Sequence, residues 1–119
     1  QSFNGKRAFA NTGLIPLTLA EAKIKAAQQG KPILADLSAF WCGYCVKLDK
    51  TVFSNPNVKA YLDAHYIYAR IDSESDEAAD FMQRYNTTGY STADIIQPNG
   101  SLVKRINTTF DPDLFISQL

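Results

Sequence analysis

The chain has 119 residues, 45% of them apolar and 20% charged, which suits one globular domain and excludes an intrinsically disordered chain. Twelve Lys and Arg residues balance twelve Asp and Glu residues, so the charge predicts neither a nucleic-acid partner nor an anionic membrane surface as partner. No apolar run approaches the roughly 20 residues that a membrane-spanning helix needs, so we expect no membrane insertion of this domain.

Residues 1–17 have no clear hydrophobic periodicity, and we expect them to form an N-terminal arm or a short edge strand in front of a domain over residues 18–119. Because the chain does not begin with Met, we expect that a signal or anchor segment has been removed from a longer precursor. Thr18 and Glu21 have the spacing of a capping box, which predicts a helix from about residue 18 to 29.

Residues 32–37 form a short apolar run in which Asp36 is the one charged residue, and this run predicts a strand buried on both faces. Apolar side chains recur at helical spacing after Cys42, which predicts a helix to about Phe53. Asn55 is followed by a proline, the pattern typical of an N-cap and the first residue of a helix, so a shorter helix is expected there.

The second half of the chain predicts a strand at residues 66–71, a helix from about residue 73, a hairpin over residues 92–106 and a last helix that begins after Asp111. Strands separated by helices imply parallel pairing, whereas the tight turn of the hairpin implies an antiparallel pair. The expected fold class is α/β, with a central mixed sheet flanked by helices on both faces.

Cys42 and Cys45 are the two cysteines of the chain, and their spacing places both on the first turn of the helix that follows the buried strand. Free backbone N–H groups and the dipole at a helix N-terminus stabilise an anion, so Cys42 is the predicted attacking thiolate. Cys45 lies one turn inside the helix on its apolar side, and we expect it to be shielded and to act as the resolving thiol. The arrangement predicts reversible disulfide chemistry.

Alternatives remain open for the cysteine pair. It can be a buried and inert pair, or half of a metal site in which His65 is the remaining strong candidate ligand. Two such pairs can also hold a metal or an iron-sulfur cluster across a dimer. We expect no metal site, because the chain has no third Cys and His65 has the place of a packed or helix-terminal residue.

Residues 33–45, with the sequence ILADLSAFWCGYC, resemble the active-site strand and helix of the thioredoxin superfamily, in which a Trp precedes the first Cys. Residues 52–58, VFSNPNV, are similar to the thioredoxin-like C-terminal domain of the DsbD-type thiol:disulfide interchange proteins, and the resemblance covers about residues 32–119. The Gly-Tyr pair between the cysteines also resembles that of the periplasmic disulfide isomerase DsbC. The resemblance implies a thioredoxin fold and disulfide exchange that needs no metal, nucleotide or organic cofactor.

By position, Asp36 matches the buried carboxylate that the family places beneath the resolving cysteine. The resemblance implies that burial raises the pKa of Asp36, and that its carboxyl group takes and returns a proton as Cys45 becomes a thiolate, directly or through a water. A hydrogen-bonded structural Asp is the alternative. Trp41 is expected to pack beside the disulfide and to report its redox state by fluorescence.

The sequence departs from the family at the loop that normally carries a cis-proline, where residues 89–92 are Gly-Tyr-Ser-Thr instead of Gly-x-Pro-Thr. Because a cis bond before a non-proline residue costs about 2.5 to 4 kcal/mol, the bond between Tyr90 and Ser91 is either trans or held in the cis form by its loop, and the sequence leaves both open. We expect Ser91 to change how a substrate backbone docks beside Cys42 and to slow thiol exchange without abolishing it. A tolerated substitution with little effect is the alternative. Asp94, where relatives carry an aliphatic residue, is expected to be paired, protonated or at an exposed edge.

An aromatic surface is predicted around the cysteines, and such a surface suits docking of an extended polypeptide that carries a disulfide. Ordinary packing is the alternative for at least one of its four aromatic side chains. The predicted substrate-binding residues are Phe40, Trp41, Gly43, Tyr44, Tyr90, Ser91 and Thr92.

The predicted function is thiol:disulfide exchange with protein disulfides by Cys42, Cys45 and Asp36, in the direction of a reductase or electron relay. We expect a monomer in the periplasm or another extracytoplasmic compartment, with a membrane or soluble redox partner supplying the electrons. The alternatives are a disulfide isomerase and a non-catalytic thioredoxin-like binding module. The latter is favoured by the replacement of the cis-proline by Ser91.

Overall fold

The computed structural model describes residues 12–119, and in this part of the chain helices pack on a four-stranded sheet. In chain order the elements are α1 (Leu19–Gln29), β1 (Ile33–Ser38), α2 (Gly43–Leu48) with a π-helical continuation (Asp49–Phe53), α3 (Pro56–His65), β2 (Ile67–Asp72), α4 (Asp76–Arg84), β3 (Thr92–Ile96), β4 (Leu102–Ile106) and α5 (Pro112–Ser117). Each element lies close to its predicted place in the sequence.

The strand order in the sheet is β2-β1-β3-β4, so β1 and β3 are central. β1 pairs parallel with β2 and antiparallel with β3, and β3 pairs antiparallel with β4. The predicted α/β fold with a central mixed sheet is therefore confirmed. In this register Asp36 lies beside Arg70 of β2 and Ala93 of β3, which brings charged residues of two neighbouring strands together.

Side chains of β1 alternate between two cores, one on each face of the sheet. Ile33, Ala35 and Leu37 pack in a core that α1 and α4 complete. Leu34 packs in the other core, which the α2 segment, α3 and α5 complete, and the two-residue period places Asp36 on this same face. Helices cover both faces of the sheet, as predicted, and Asp36 faces the helix that carries the cysteines.

Capping residues mark the start and end of α1 and the start of α3 at the positions that the sequence predicts. Thr18 and Glu21 form both hydrogen bonds of a capping box at the start of α1. α1 ends at Gly30, whose φ of 65° is left-handed and strained for a residue with a Cβ. At the start of α3 the Asn55 side chain accepts hydrogen bonds from two backbone N–H groups of the first turn, at 2.9 and 3.3 Å.

The helix predicted after the cysteine motif is α-helical to Leu48 and then π-helical over Asp49–Phe53. Thr51 Oγ1 and Ser54 Oγ each donate a hydrogen bond to the backbone carbonyl four residues earlier, at 2.8 and 2.5 Å. Such hydroxyl groups compete with the backbone for the same carbonyls and often bend a helix. The helix predicted to about Phe53 is therefore present to that residue, and its second half is π-helical.

Part of the predicted N-terminal arm lies along the edge strand β2. Leu17 forms an isolated parallel bridge to Ala69, and its carbonyl accepts a hydrogen bond from the backbone N–H of Arg70 at 2.8 Å. Residues 1–11 of the predicted arm lie outside the described residues, and the domain boundary at residue 18 stays a prediction. Over residues 12–119, no helix has both the length and the apolar character needed to cross a membrane.

Candidate active site

Cys42 is the N-cap residue of α2 and follows the buried strand β1 by a short connection. Its Sγ accepts a hydrogen bond from the backbone N–H of Cys45 at 3.2 Å. Cys42 is partly exposed, and both cysteines are free thiols. The sulfur of Cys42 thus lies where solvent meets a helix N-terminus, which is the environment that the sequence predicts for the attacking thiolate.

Cys45 lies one turn further into α2 and is only 1% exposed. Burial raises the pKa of the Cys45 thiol to about 11, and its hydrogen bond with Cys42 adds to the rise. Hydrogen bonds with the Ala39 backbone and with the side chains of Ser38 and Ser91 act in the opposite direction. At pH 7 a thiol with this pKa is ionised in roughly one molecule in ten thousand, so a resolving role for Cys45 requires a nearby base.

Asp36 of β1 supplies a buried carboxyl group on the same face of the sheet. Its Oδ2 accepts a hydrogen bond from the Tyr68 hydroxyl at 2.5 Å and lies 3.8 Å from Arg70 Nη1, while its Oδ1 accepts from the Ser91 hydroxyl at 3.5 Å. Burial raises the pKa of Asp36, although the charge of Arg70 and the hydrogen bonds of Tyr68 and Ser91 lower it in part. This direction agrees with the one that the family resemblance implies.

Arg70 connects Asp36 to further polar groups. It is not among the site residues predicted from the sequence. Its guanidinium donates to both carboxylate oxygens of Asp49, at 3.1 Å each, and to Ser38 Oγ at 2.8 Å. Arg70 lies inside a strand whose six residues are all buried, and a charged residue in such a strand signals that a buried partner is present. The sequence could have pointed to Arg70 by this signal, but not to the acids that face it.

Asp49 is the second carboxyl group beside Arg70 and begins the π-helical segment. Burial raises the pKa of Asp49 to about 6, the charge of Asp36 acts in the same direction, and Arg70 acts against it. We refer to Asp36, Asp49, Tyr68 and Arg70 as the buried charge cluster. Because one guanidinium in it faces two carboxyl groups, the cluster favours keeping a proton on one of them.

Phe40 and Trp41, two of the predicted substrate-binding residues, are exposed beside the cysteine motif. The Trp41 ring contacts the Tyr90 ring edge to face, with centroids 5.4 Å apart. Tyr90 is partly buried against the α4 core, and its hydroxyl donates to Met82 Sδ at 3.7 Å. Ordinary packing, which the sequence leaves open for at least one of the four aromatic side chains, therefore describes Tyr90.

Gly43 and Tyr44 lie between the cysteines at the start of α2, and both are exposed. A Cβ at Gly43 would have no other heavy atom within 4 Å, so this position is open to solvent or substrate. The Tyr44 hydroxyl forms a hydrogen bond with Thr108 Oγ1 at 2.9 Å, and its ring contacts that of Phe110, with centroids 4.7 Å apart. Tyr44 thus joins the motif to the connection that precedes α5.

In the loop at residues 89–92 the peptide bond between Tyr90 and Ser91, for which the sequence leaves both isomers open, is cis. Thr92 Oγ1 donates to the Gly89 carbonyl at 2.8 Å, and Thr92 pairs with Leu37 in the sheet, so hydrogen bonds hold the chain on both sides of this bond. The loop places the Ser91 side chain against Asp36 and Cys45.

The structure shows the contacts of Asp94 and His65, for which the sequence leaves more than one role open. Asp94 is fully buried in β3 and pairs with Arg105, whose Nε and Nη2 donate to its two carboxylate oxygens at 2.8 and 3.1 Å. His65 is the exposed last residue of α3, and its ring lies 4.6 Å from that of Tyr61. In the part of the chain that the structure describes, no group of three or more His, Cys, Asp or Glu side chains could hold a metal ion.

The sequence of this chain matches a known family model and is similar to curated proteins. A family model described as Thioredoxin-like matches residues 15–93. Thiol:disulfide interchange protein DsbD 1 of Pseudomonas aeruginosa is 34% identical over 86 residues, which are 71% of this chain and 15% of that protein. DsbD of Cronobacter sakazakii is 31% identical over 98 residues, 79% of this chain and 17% of that protein. The chain therefore spans about a sixth of the length of these curated relatives.

Solved structures share the fold. A thioredoxin from Thermus thermophilus superposes with a TM-score of 0.78 at 22% identity, over 88% of this chain and 83% of that one. The oxidised C-terminal domain of DsbD from Neisseria meningitidis superposes with a TM-score of 0.73 at 19% identity, over 87% of this chain and 96% of that one. The predicted thioredoxin fold is confirmed.

Proposed function

Because this chain belongs to the thioredoxin-like family, we propose that it is a thiol:disulfide oxidoreductase that acts on protein disulfides through Cys42 and Cys45. The observation that carries the proposal is the position of Cys42 as the N-cap of α2, where its sulfur accepts the N–H of the buried Cys45 and remains partly exposed. A thiolate in this position is stabilised by the helix N-terminus and can be reached by a substrate.

In the proposed reaction, the Cys42 thiolate attacks one sulfur of a substrate disulfide, and the other substrate sulfur leaves as a thiolate. The Cys45 thiol then loses its proton, with Asp36 as the base, and attacks Cys42 Sγ. The bond between Cys42 and the substrate breaks, the second substrate thiolate leaves, and a disulfide joins the two cysteines. Two electrons pass from the cysteine pair to the substrate.

The substrate is proposed to dock on the exposed aromatic side chains beside the attacking sulfur. Phe40, Trp41 and Tyr44 are 45%, 58% and 41% exposed, and Gly43 between them leaves the approach to Cys42 open. Aromatic side chains bury large areas without requiring a charged partner, which suits an extended polypeptide of varied sequence.

We propose the direction of a reductase or electron relay. The thiol:disulfide interchange proteins to which this chain is similar support disulfide exchange, and the reduction potential tests its direction. In this direction the substrate leaves reduced, and a membrane or soluble redox partner returns the cysteine pair to the dithiol state. An extracytoplasmic compartment such as the periplasm suits the proposal, because protein disulfides persist there. The domain acts as a monomer in this proposal.

Trp41, the one Trp of the chain, allows a direct test because it precedes Cys42. Its fluorescence is titrated against mixtures of reduced and oxidised glutathione, with Cys42→Ser as the control that must show no transition. A reduction potential near about −270 mV, that of thioredoxin, supports a reductase, whereas one between about −180 and −120 mV supports an isomerase or oxidase. No transition in the wild type, together with no reduction of insulin, contradicts the proposal and favours the binding module.

A further inference from the structure

The Ser91 hydroxyl contacts the buried carboxyl group of Asp36. It donates toward Asp36 Oδ1 and toward the Leu37 carbonyl, each at 3.5 Å. A hydrogen bond with Ser91 is also one of the contacts that oppose the rise in the pKa of the Cys45 thiol. Two contacts at the outer limit of hydrogen-bond length allow the hydroxyl to rotate between its partners. The proline of the family pattern has no hydroxyl that could make these contacts.

The two oxygens of Asp36 have different surroundings. Oδ2 accepts the Tyr68 hydroxyl at 2.5 Å and faces Arg70 at 3.8 Å, and Arg70 is itself held by Asp49. Oδ1 faces Ser91 instead. Oδ1 therefore meets a group that can both donate and accept a proton, since a hydroxyl has one donor and two lone pairs.

On the basis of the proposed function, we propose that the Ser91 hydroxyl relays the proton of Cys45 to Asp36 when Cys45 resolves the mixed disulfide. The Cys45 S–H gives its proton to Ser91 Oγ while the Ser91 O–H gives its own proton to Asp36 Oδ1, so the serine is unchanged. The Cys45 thiolate then attacks Cys42 Sγ, and the substrate sulfur leaves with the electron pair of the broken bond. Asp36 afterwards returns the proton to the leaving thiolate or to solvent.

Ser38 is the other hydroxyl group that contacts the Cys45 sulfur, but its second partner is a cation. Ser38 Oγ accepts a hydrogen bond from Arg70 Nη2 at 2.8 Å, which directs the Ser38 proton away from Arg70 and leaves it available for a thiolate. Both hydroxyls lower the pKa of Cys45, and they differ in their second partner, which is a cation for Ser38 and a carboxyl group that can take a proton for Ser91.

The reagent 5,5′-dithiobis(2-nitrobenzoate) separates the two steps in the full chain. Attack by Cys42 releases a first coloured thiolate, and displacement by Cys45 releases a second. We expect Ser91→Ala to slow the second release at pH 7 about tenfold, because a positioned proton acceptor contributes a hundredfold or more and water replaces part of it. The first release is expected to stay unchanged, and Ser91→Thr, which keeps a hydroxyl, is expected to restore the second.

The pH profile gives a readout that a purely structural role would not change. Stopped-flow rates from pH 5 to 9 should level off in the wild type once Asp36 is ionised. In Ser91→Ala the second release should keep rising to pH 9, because the attack then depends on the ionisation of the Cys45 thiol itself. Ser54→Ala is a matched control, since it removes a hydroxyl that donates to the Lys50 carbonyl.

Ser91→Gly also lacks the hydroxyl and keeps the test decisive if Ser91→Ala does not fold. A second release that keeps the wild-type rate and pH profile in a hydroxyl-free variant overturns the relay. A wild-type protein that releases only one coloured thiolate overturns the proposed function instead, so the two failures are distinguishable.

Discussion

At the scale of single residues, Arg70 has the largest set of charged contacts around the candidate site. Its guanidinium bonds Asp49 through both oxygens, bonds Ser38, and lies near Asp36. Removing one partner of a buried ion pair leaves an uncompensated charge, which costs more than the pair itself contributes. The stability of this region and the protonation of Asp36 therefore depend on the same side chain.

Replacing Arg70 by Gln should lower the free energy of unfolding at pH 7 by about 3 kcal/mol, because two buried carboxyl groups lose their cation. The loss should be smaller at pH 5, where these groups take up protons more readily. Urea denaturation at both pH values measures this, with the exposed Arg84→Gln as the matched control. Equal midpoints for the two variants would show that Arg70 does not offset these charges.

At the scale of elements, helix starts depend on residues that are adjacent in the chain. Asn55 caps α3 through two backbone N–H groups, and the proline after it is the first residue of that helix. The π-helical segment shows the opposite case. In this segment Thr51 and Ser54 bond back to carbonyls of their own helix, whereas Asp49 meets Arg70 of a distant strand.

Asn55→Ala should lower the free energy of unfolding by about 1 kcal/mol, because the N–H groups of the first turn of α3 lose their acceptor. Asn57→Ala, at an exposed position of the same turn, is the control and should change stability by less than about 0.5 kcal/mol. Thermal or urea unfolding of the two variants measures the difference. If both variants lose the same stability, the cap does not stabilise the helix.

At the scale of the whole molecule, the buried acids link stability to pH. The pKa of Asp36 and that of Asp49 are raised on folding, that of Asp49 to about 6. In the unfolded chain an Asp has a pKa of about 3.9, so between these values the folded chain binds more protons than the unfolded chain. The free energy of unfolding contributed by these groups therefore falls as pH rises through this window.

Asp49→Asn removes one of these titrating groups, so the variant should gain stability relative to the wild type as pH rises from about 4 to 7. The expected gain is about 1 to 2 kcal/mol, which is below the full value of the shift because Asp36 shares Arg70 with Asp49 and the protonation of the two acids is linked. Urea unfolding across this range measures it, with the exposed Asp80→Asn as control. A difference between wild type and Asp49→Asn that stays constant with pH contradicts the prediction.

By itself, the sequence determined the order of the elements, the helix starts at Thr18 and Asn55, and the placement of Cys42 and Cys45 on one helical turn. These features follow from residues a few positions apart, because capping bonds, turn conformations and hydrophobic periods are local. Asp36 is the odd residue of an otherwise apolar strand, and the family resemblance implies that it is a buried acid. Ser91 stands out because it replaces the residue that the family pattern requires.

Only the tertiary structure decided which side chains meet. The strand register brings Arg70 beside Asp36, and the helix packed on that face adds Asp49, 21 residues from Arg70 in the chain. The antiparallel pairing of β3 and β4 gives Asp94 its partner Arg105. The loop before β3 brings Ser91 to Asp36, 55 residues away. Such contacts depend on register and packing of distant segments, which no local pattern of residues encodes.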